Sequence, residues 1–250
     1  MFRLIRWVMD KLIRLFSKDA DRAWLDTACF PWNQQLEANW TTVRDEIEAV
    51  MLNQDHIPNV EDISQDGNLG ADRQPMSRGA EWKWFFLYGY SHKIDANCAR
   101  CPQTTQLVES IPGMRGAIFA VLAPGKHIPP HQGLYKGLLR YHLGLRIPEP
   151  AGSCRIKVNG ETRPWVQGRG FMFDDTFTHE VWNDSTLQRV VLMIDVERPL
   201  PLPIASLNRF ILRWIASTRY INDAIDNVKS KAEAGLGTAP EAETMKGAKF

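Results

Sequence analysis

At 100° per residue, the opening MFRLIRWVMDKLIRLFSK divides into two faces. Phe2, Leu4, Ile5, Val8, Met9, Leu12, Ile13, Leu15 and Phe16 share one half-wheel. Arg3, Arg6, Trp7, Asp10, Lys11, Arg14, Ser17 and Lys18 share the other, five basic residues against one acidic. The split predicts an amphipathic helix, either lying in a membrane interface or packed on the domain that follows. Arg3 and Arg6 interrupt any signal-peptide apolar region and no small-residue cleavage site follows, so the segment is not read as secretory. A second amphipathic pattern appears in PIASLNRFILRWIASTRYI. Leu207, Phe210, Ile211, Trp214, Ile215 and Ile221 form its apolar stripe, and Arg209, Arg213 and Arg219 lie largely opposite. The two helices could also pack on each other. No run approaches the ~18 apolar residues of a membrane span.

Between these ends the pattern changes. Residues 25–56, containing WNQQLEANWTTVRDEIEAVM, read as helix, and 57–80 as loop. From Trp82 to about Pro199 short apolar runs alternate with turn residues: WKWFFLYGY, GAIFAVLAP, GLLRYHLGLRI, CRIKVNG, FMFDD and RVVLMIDV. Many short strands with turns between them predict a β sandwich or barrel, with one inserted helix at TTQLVESI. The expected organisation is an amphipathic helix and membrane-surface anchor over 1–20, a β domain over 21–203, amphipathic helices over 204–234, and a disordered Gly/Ala/Glu/Lys-rich tail over 235–250.

Composition adds mainly exclusions. At 250 residues the chain can bury a sizeable core. A formal net charge of +1 gives no global pull toward nucleic acid, and none is expected as a partner. Four cysteines, including the Cys98-x-x-Cys101 pair, are too few and scattered for a disulfide framework. Without a second pair or a nearby histidine they read as incidental thiols in a reducing cytoplasm.

Candidate chemistry lies in the β region. Along GLLRYHLGLRI, alternation places Leu139, Tyr141, Leu143 and Leu145 on one face and Arg140, His142 and Gly144 on the other. Arg and His on one inward face are costly unless something anionic meets them. His131 comes early, His179 about fifty residues later, and Arg189 ten residues after that. This order suits a double-stranded β-helix in which imidazoles bind Fe(II) and a guanidinium grips the far carboxylate of 2-oxoglutarate. The obstacle is HQG: Gly133 stands where an iron site of the His-x-Asp kind would carry its carboxylate.

The runs APGKHIPPHQGLYKGLLRYHLGL, WVQGRGFMFDDTFTHEVWNDS and QRVVLMIDVERPL together resemble the aspartyl/asparaginyl β-hydroxylase family of 2-oxoglutarate oxygenases, from about Trp82 to Pro201. The resemblance implies a mainly β protein with flanking helices and a double-stranded β-helix core, cupin-like. It implies a metal held by two histidines, with glycine in place of the carboxylate. By matching position His131 and His179 would be the iron ligands and Arg189 the anchor of the 2-oxoglutarate C5 carboxylate. Arg140 and His142 would contact the cosubstrate's other end. The implied reaction uses Fe(II), 2-oxoglutarate and O₂, inserts oxygen into a C–H bond, and releases succinate and CO₂. Asp174 and Asp175 are expected at a strand end, shaping a turn or orienting His179 rather than binding metal. His127 is expected to be a loop residue.

Bacterial members of the family also resemble hydroxylases of acyl chains in lipid A and ornithine lipids. The two basic amphipathic helices favour such a lipid substrate, reached from the inner face of the bacterial inner membrane by a cytoplasmic, peripheral enzyme. The competing expectations are hydroxylation of aspartyl or asparaginyl residues in a peptide, hydroxylation of a free amino acid, or a catalytically silent β-helix that binds a ligand.

Overall fold

The computed structural model describes residues 2–53, 56–63 and 81–236. In chain order it holds α1 (Phe2–Phe16), β1 (Trp24–Leu25), α2 (Trp32–Ala38), α3 (Trp40–Met51), α4 (Val60–Ile63), β2 (Trp82–Gly89) and β3 (His92–Lys93). There follow α5 (Asp95–Arg100), α6 (Pro102–Glu109), β4 (Met114–Leu122), β5 (His127–His131), β6 (Leu138–Arg146), β7 (Cys154–Val158) and β8 (Glu161–Pro164). The chain continues with β9 (Gly170–Phe173), β10 (His179–Asn183), β11 (Arg189–Glu197), α7 (Ile204–Ala216) and α8 (Arg219–Leu236).

The strands form two antiparallel sheets. The larger has the order β1-β9-β6-β11-β4-β2-β3, the smaller β5-β10-β7-β8. From β4 to β11 the chain crosses repeatedly between them, which is the winding of a double-stranded β-helix. The expected fold is therefore present, with three extra strands widening the large sheet.

Period-2 alternation decides what each face meets. On β11, Val190, Leu192, Ile194 and Val196 face outward into one buried cluster with Leu36, Val43 and Ile47 of the covering helices. Val191 and Met193 face inward and join Trp84, Ile118, Ile156, Phe173 and Val181. Arg189 and Asp195 share that inward face, so the same alternation that fills the core aims charged groups into the barrel.

Two expectations need correction. The helix read over 25–56 is broken. Trp24–Leu25 pairs with β9 as a strand, Pro31 precedes α2, and Asn39 separates α2 from α3 while its Nδ2 donates to the Gln35 carbonyl. The strands carrying the histidines, β5 and β10, were not legible as strands. HIPPH contains two prolines, tolerable because β5 is the edge of the small sheet and one side of it needs no ladder donors. In the expected loop over 57–80, Val60–Ile63 forms a short helix. Residues 64–80 lie outside the described residues, as does the expected tail beyond Leu236, into which α8 carries the helix past Gly235.

The terminal helices do pack on the domain and on each other. Met9 and Ile13 of α1 are buried, as are Ile211 and Ile215 of α7 and Ile221, Ile225 and Val228 of α8. No helix among the described residues is long and apolar enough to cross a membrane.

Candidate active site

The antiparallel pairing of β5 with β10 puts His131 directly opposite His179. Their ring centroids are 4.0 Å apart. His131 Nδ1 lies 2.8 Å from the Pro129 carbonyl and His179 Nδ1 3.0 Å from that of Phe177. A carbonyl only accepts, so the proton belongs on Nδ1 and each Nε2 keeps its lone pair. Burial, and next the neighbouring His131, holds His179 well below the usual imidazole range. Two oriented imidazoles side by side, the His179 ring held neutral by burial, are what a divalent metal binds. Among the described residues no trio of His, Cys, Asp or Glu converges to enclose an ion.

Both histidines open into a cavity of about 830 Å³ including its mouth, whose wall also carries Arg140, His142, Asp175, Arg189 and Asp195. The two arginines differ. Arg140 is answered: its Nε and Nη2 donate to the Asp195 carboxylate at 2.7 and 2.9 Å, and its Nη1 lies 3.1 Å from Asp175. Arg189 is only 2% exposed, its Nε has no partner, and no carboxylate pairs with it among the described residues. Its guanidinium lies 4.7 Å from the Trp165 ring centre. Burial draws Arg189 down to about 10, which still leaves a cation at neutral pH. A buried cation without a counter-charge is costly by itself and fits a site completed by a carboxylate.

His142 lies between them, close to parallel with the Trp165 ring at 5.9 Å. Both its ring nitrogens are buried without hydrogen bonds. Burial, then Arg140 and Arg189, keeps it neutral. The five residues singled out in sequence thus line one cavity. The two imidazoles stand on the small sheet, and Arg140, His142 and Arg189 stand on the large one.

Gly133 sits beside the His131–His179 pair. Its N–H donates to the Asp175 carbonyl at 2.7 Å, and a Cβ at this position would overlap the Asp175 carboxylate. The volume that a side chain at 133 would need is therefore filled by Asp175, four residues before His179. Burial raises the Asp175 pKa, and the pairing with Arg140 opposes that rise. Asp174 points away from the cavity. It is fully buried and accepts from Lys136 Nζ at 2.6 Å, from Arg198, and from the Thr176 N–H at 3.0 Å. His127, expected in a loop, instead opens strand β5 on its outer side, stacked on Trp182 at 4.9 Å, and does not line the cavity.

Sequence reading did not identify Asp195, Trp84 or Tyr90 as cavity residues, nor Trp165 as the ring against Arg189 and His142. Asp195 carried a signal, since it lies six residues from Arg189 on one strand and so on the same face. Trp165 carried none, because it lies in the β8–β9 connection, where no alternation applies.

A family model described as aspartyl/asparaginyl β-hydroxylase matches residues 37–199. The chain is 39% identical over 204 residues to the ornithine lipid ester-linked acyl 2-hydroxylase of Rhizobium tropici, covering 82% of this chain and 70% of that protein. It is 34% identical over 171 residues to the human aspartyl/asparaginyl β-hydroxylase, covering 66% of this chain but only 21% of the human protein. A cupin 2 barrel protein of Salinispora arenicola superimposes with a TM-score of 0.31 at 12% identity, over 56% of this chain and 92% of that one, too slight a likeness to add to the strand order. By the extent of these sequence matches, spanning the strands that carry both histidines as well as Arg140, His142 and Arg189, the chain belongs to the aspartyl/asparaginyl β-hydroxylase family of hydroxylases.

Proposed function

We propose that this protein is an Fe(II)- and 2-oxoglutarate-dependent hydroxylase of an acyl chain in a membrane lipid of the ornithine-lipid kind, working at a membrane surface. The observation that carries the reading is the pairing of His131 with His179 across from an Arg189 whose buried charge meets no carboxylate among the described residues. When bound, the metal and cosubstrate supply the activation of O₂, with 2-oxoglutarate leaving as succinate and CO₂. The chain's own residues do the positioning. His131 and His179 hold the metal through Nε2, their rings oriented by backbone carbonyls. Arg189 binds the distal carboxylate in paired charge-assisted hydrogen bonds while Trp165 covers its face. His142, neutral and unpartnered, borders the space between the imidazoles and Arg189, where it can hydrogen-bond the cosubstrate's other end. Arg140, bound by Asp195 and Asp175, acts there through the charge it presents with its partners.

The similarity to the Rhizobium acyl hydroxylase supports the lipid substrate. So does the outer surface of the terminal helices, where Leu4, Val8, Leu15, Leu207 and Phe210 remain exposed. These helices touch the cavity's own loop: Tyr135 donates to Asn208 Oδ1 at 2.8 Å, and Asn208 Nδ2 donates to the Gly137 carbonyl at 3.1 Å. A surface seated on α1 and α7 would therefore lie beside the segment that forms one wall of the site.

The test is turnover by purified protein given Fe(II), 2-oxoglutarate, O₂ and ornithine lipid in micelles. The expected result is one succinate per lipid gaining one oxygen atom, with neither product from His131→Ala or His179→Ala. Turnover with an aspartyl peptide but not with lipid would overturn the substrate assignment, and no 2-oxoglutarate turnover with either would overturn the chemistry.

A further inference from the structure

A second cavity of about 640 Å³, including its mouth, lies against the first on the far side of the Arg140–Asp195 pair. Trp84, Tyr90, Leu138, Arg140 and Asp195 line both, so the two are neighbouring chambers with a common wall. Their chemistry differs. The first holds imidazoles and an unanswered guanidinium. The second is walled by Phe86, Ile118, Ile221, Ala224, Ile225 and Val228, from the inner face of the large sheet and one face of α8. Its charged lining groups already have partners: Arg115 donates to Glu197 at 3.0 Å and to Ser91 at 3.0 Å, and Arg140 to Asp195. Nothing on these walls calls for a charged ligand, whereas aliphatic surface is available on two sides.

We infer that this chamber receives the hydrocarbon tail of the substrate, so that α8 with β2 and β4 forms the acyl-chain site and sets chain-length preference. The inference rests on the acyl-lipid reading above and deepens it. A long acyl chain presenting one methylene to the metal must store the remainder, and an apolar chamber sharing five residues with the reaction pocket meets that need. A short acidic side chain of a peptide would use only the first cavity. Each buried methylene is worth about 0.8 kcal/mol, which is roughly a fourfold gain in kcat/KM per added carbon until the chamber is full. Tyr90 stands at the shared wall with a left-handed backbone, φ +47°, between β2 and β3. It and Leu138 are the residues a chain would pass.

The experiment uses a palmitoyl ester whose chain ends in a diazirine, photolysed with the full-length protein without added iron, followed by peptide mapping. Label is expected on Ile221–Val228 or on Phe86, and Ala224→Phe should reduce it at least tenfold. In turnover, Ala224→Phe should shift preference from stearoyl toward lauroyl esters by at least tenfold, and Ile225→Ala should shift it toward longer chains. Label falling only outside the second chamber would overturn the inference even if lipid is hydroxylated. So would chain-length profiles that neither variant moves. Label on α8 in a protein that hydroxylates no lipid would uphold the chamber while removing the functional reading. Because the labelling uses unaltered protein, a misfolded Ala224→Phe leaves the inference equally open to refutation.

Discussion

A side chain at position 133 would compete for the space that the Asp175 carboxylate occupies, beside both imidazoles. Gly133 thus matters sterically: it admits a carboxylate from the β9–β10 connection that pairs with Arg140. Gly133→Ala should displace Asp175, cost about 1–3 kcal/mol as overpacking, and lower turnover. Adding Asp175→Ala should recover most of the stability loss, a coupling that a double-mutant cycle of urea unfolding would reveal. Additive losses would show that the two positions do not contend for one space. The adjacent residue behaves differently. Asp174 pairs with both Lys136 and Arg198 in the interior, all three below 5% exposed. Asp174→Ala would leave two buried cations unpaired, and the expected loss is about 3–5 kcal/mol in chemical denaturation. A loss below 1 kcal/mol would mean that water reaches the cluster. The sequence displayed both acids in FMFDD but could not separate them, since which one turns inward depends on the bend that ends β9.

At the scale of elements, α1 and α7 each divide their apolar half between two uses. Met9 and Ile13 are at most 1% exposed, whereas Leu4 is 65% and Leu15 74% exposed. The helical wheel shows amphipathicity but not this division, because the wheel has no information on how wide the supporting surface is. The buried edge makes α1 part of the core, and the outer edge is what a membrane would receive, beside Leu207 and Phe210. The combined variant Leu4→Glu, Val8→Glu, Leu15→Glu should therefore unfold at the same temperature as the parent within a few degrees. Its sedimentation with anionic vesicles should fall at least tenfold. Equal sedimentation of the two proteins would remove the argument that this face seats the enzyme on lipid. The β elements were legible for a different reason. β2, β4, β6, β9 and β11 carry long apolar runs because the large sheet is covered on both faces. β5 and β10 escaped because neither carries an apolar run: HIPPH holds two prolines on an edge, and HEVWN only two apolar residues between polar ones.

For the whole molecule, the winding of two sheets brings residues from distant stretches to one cavity: His131 and His179 from the small sheet, Arg140, His142, Asp195 and Arg189 from the large one. The order His, Arg-x-His, His, Arg could be read along the chain and pointed to this site. The unequal state of its two arginines could not, because it depends on Asp195 and Asp175 reaching Arg140 while no carboxylate among the described residues pairs with Arg189. Nor could the second chamber, which exists only where α8 folds back over β2 and β4. The substrate is the claim on which the rest depends. Its most direct test is mass spectrometry of membrane lipids from otherwise identical bacterial cells that make ornithine lipid, with and without this protein. The account predicts a lipid species carrying one additional oxygen on an acyl chain in the cells that have the protein, and its disappearance when His179→Ala replaces the parent. Identical lipid profiles in cells shown to contain folded, soluble or membrane-bound protein would contradict it.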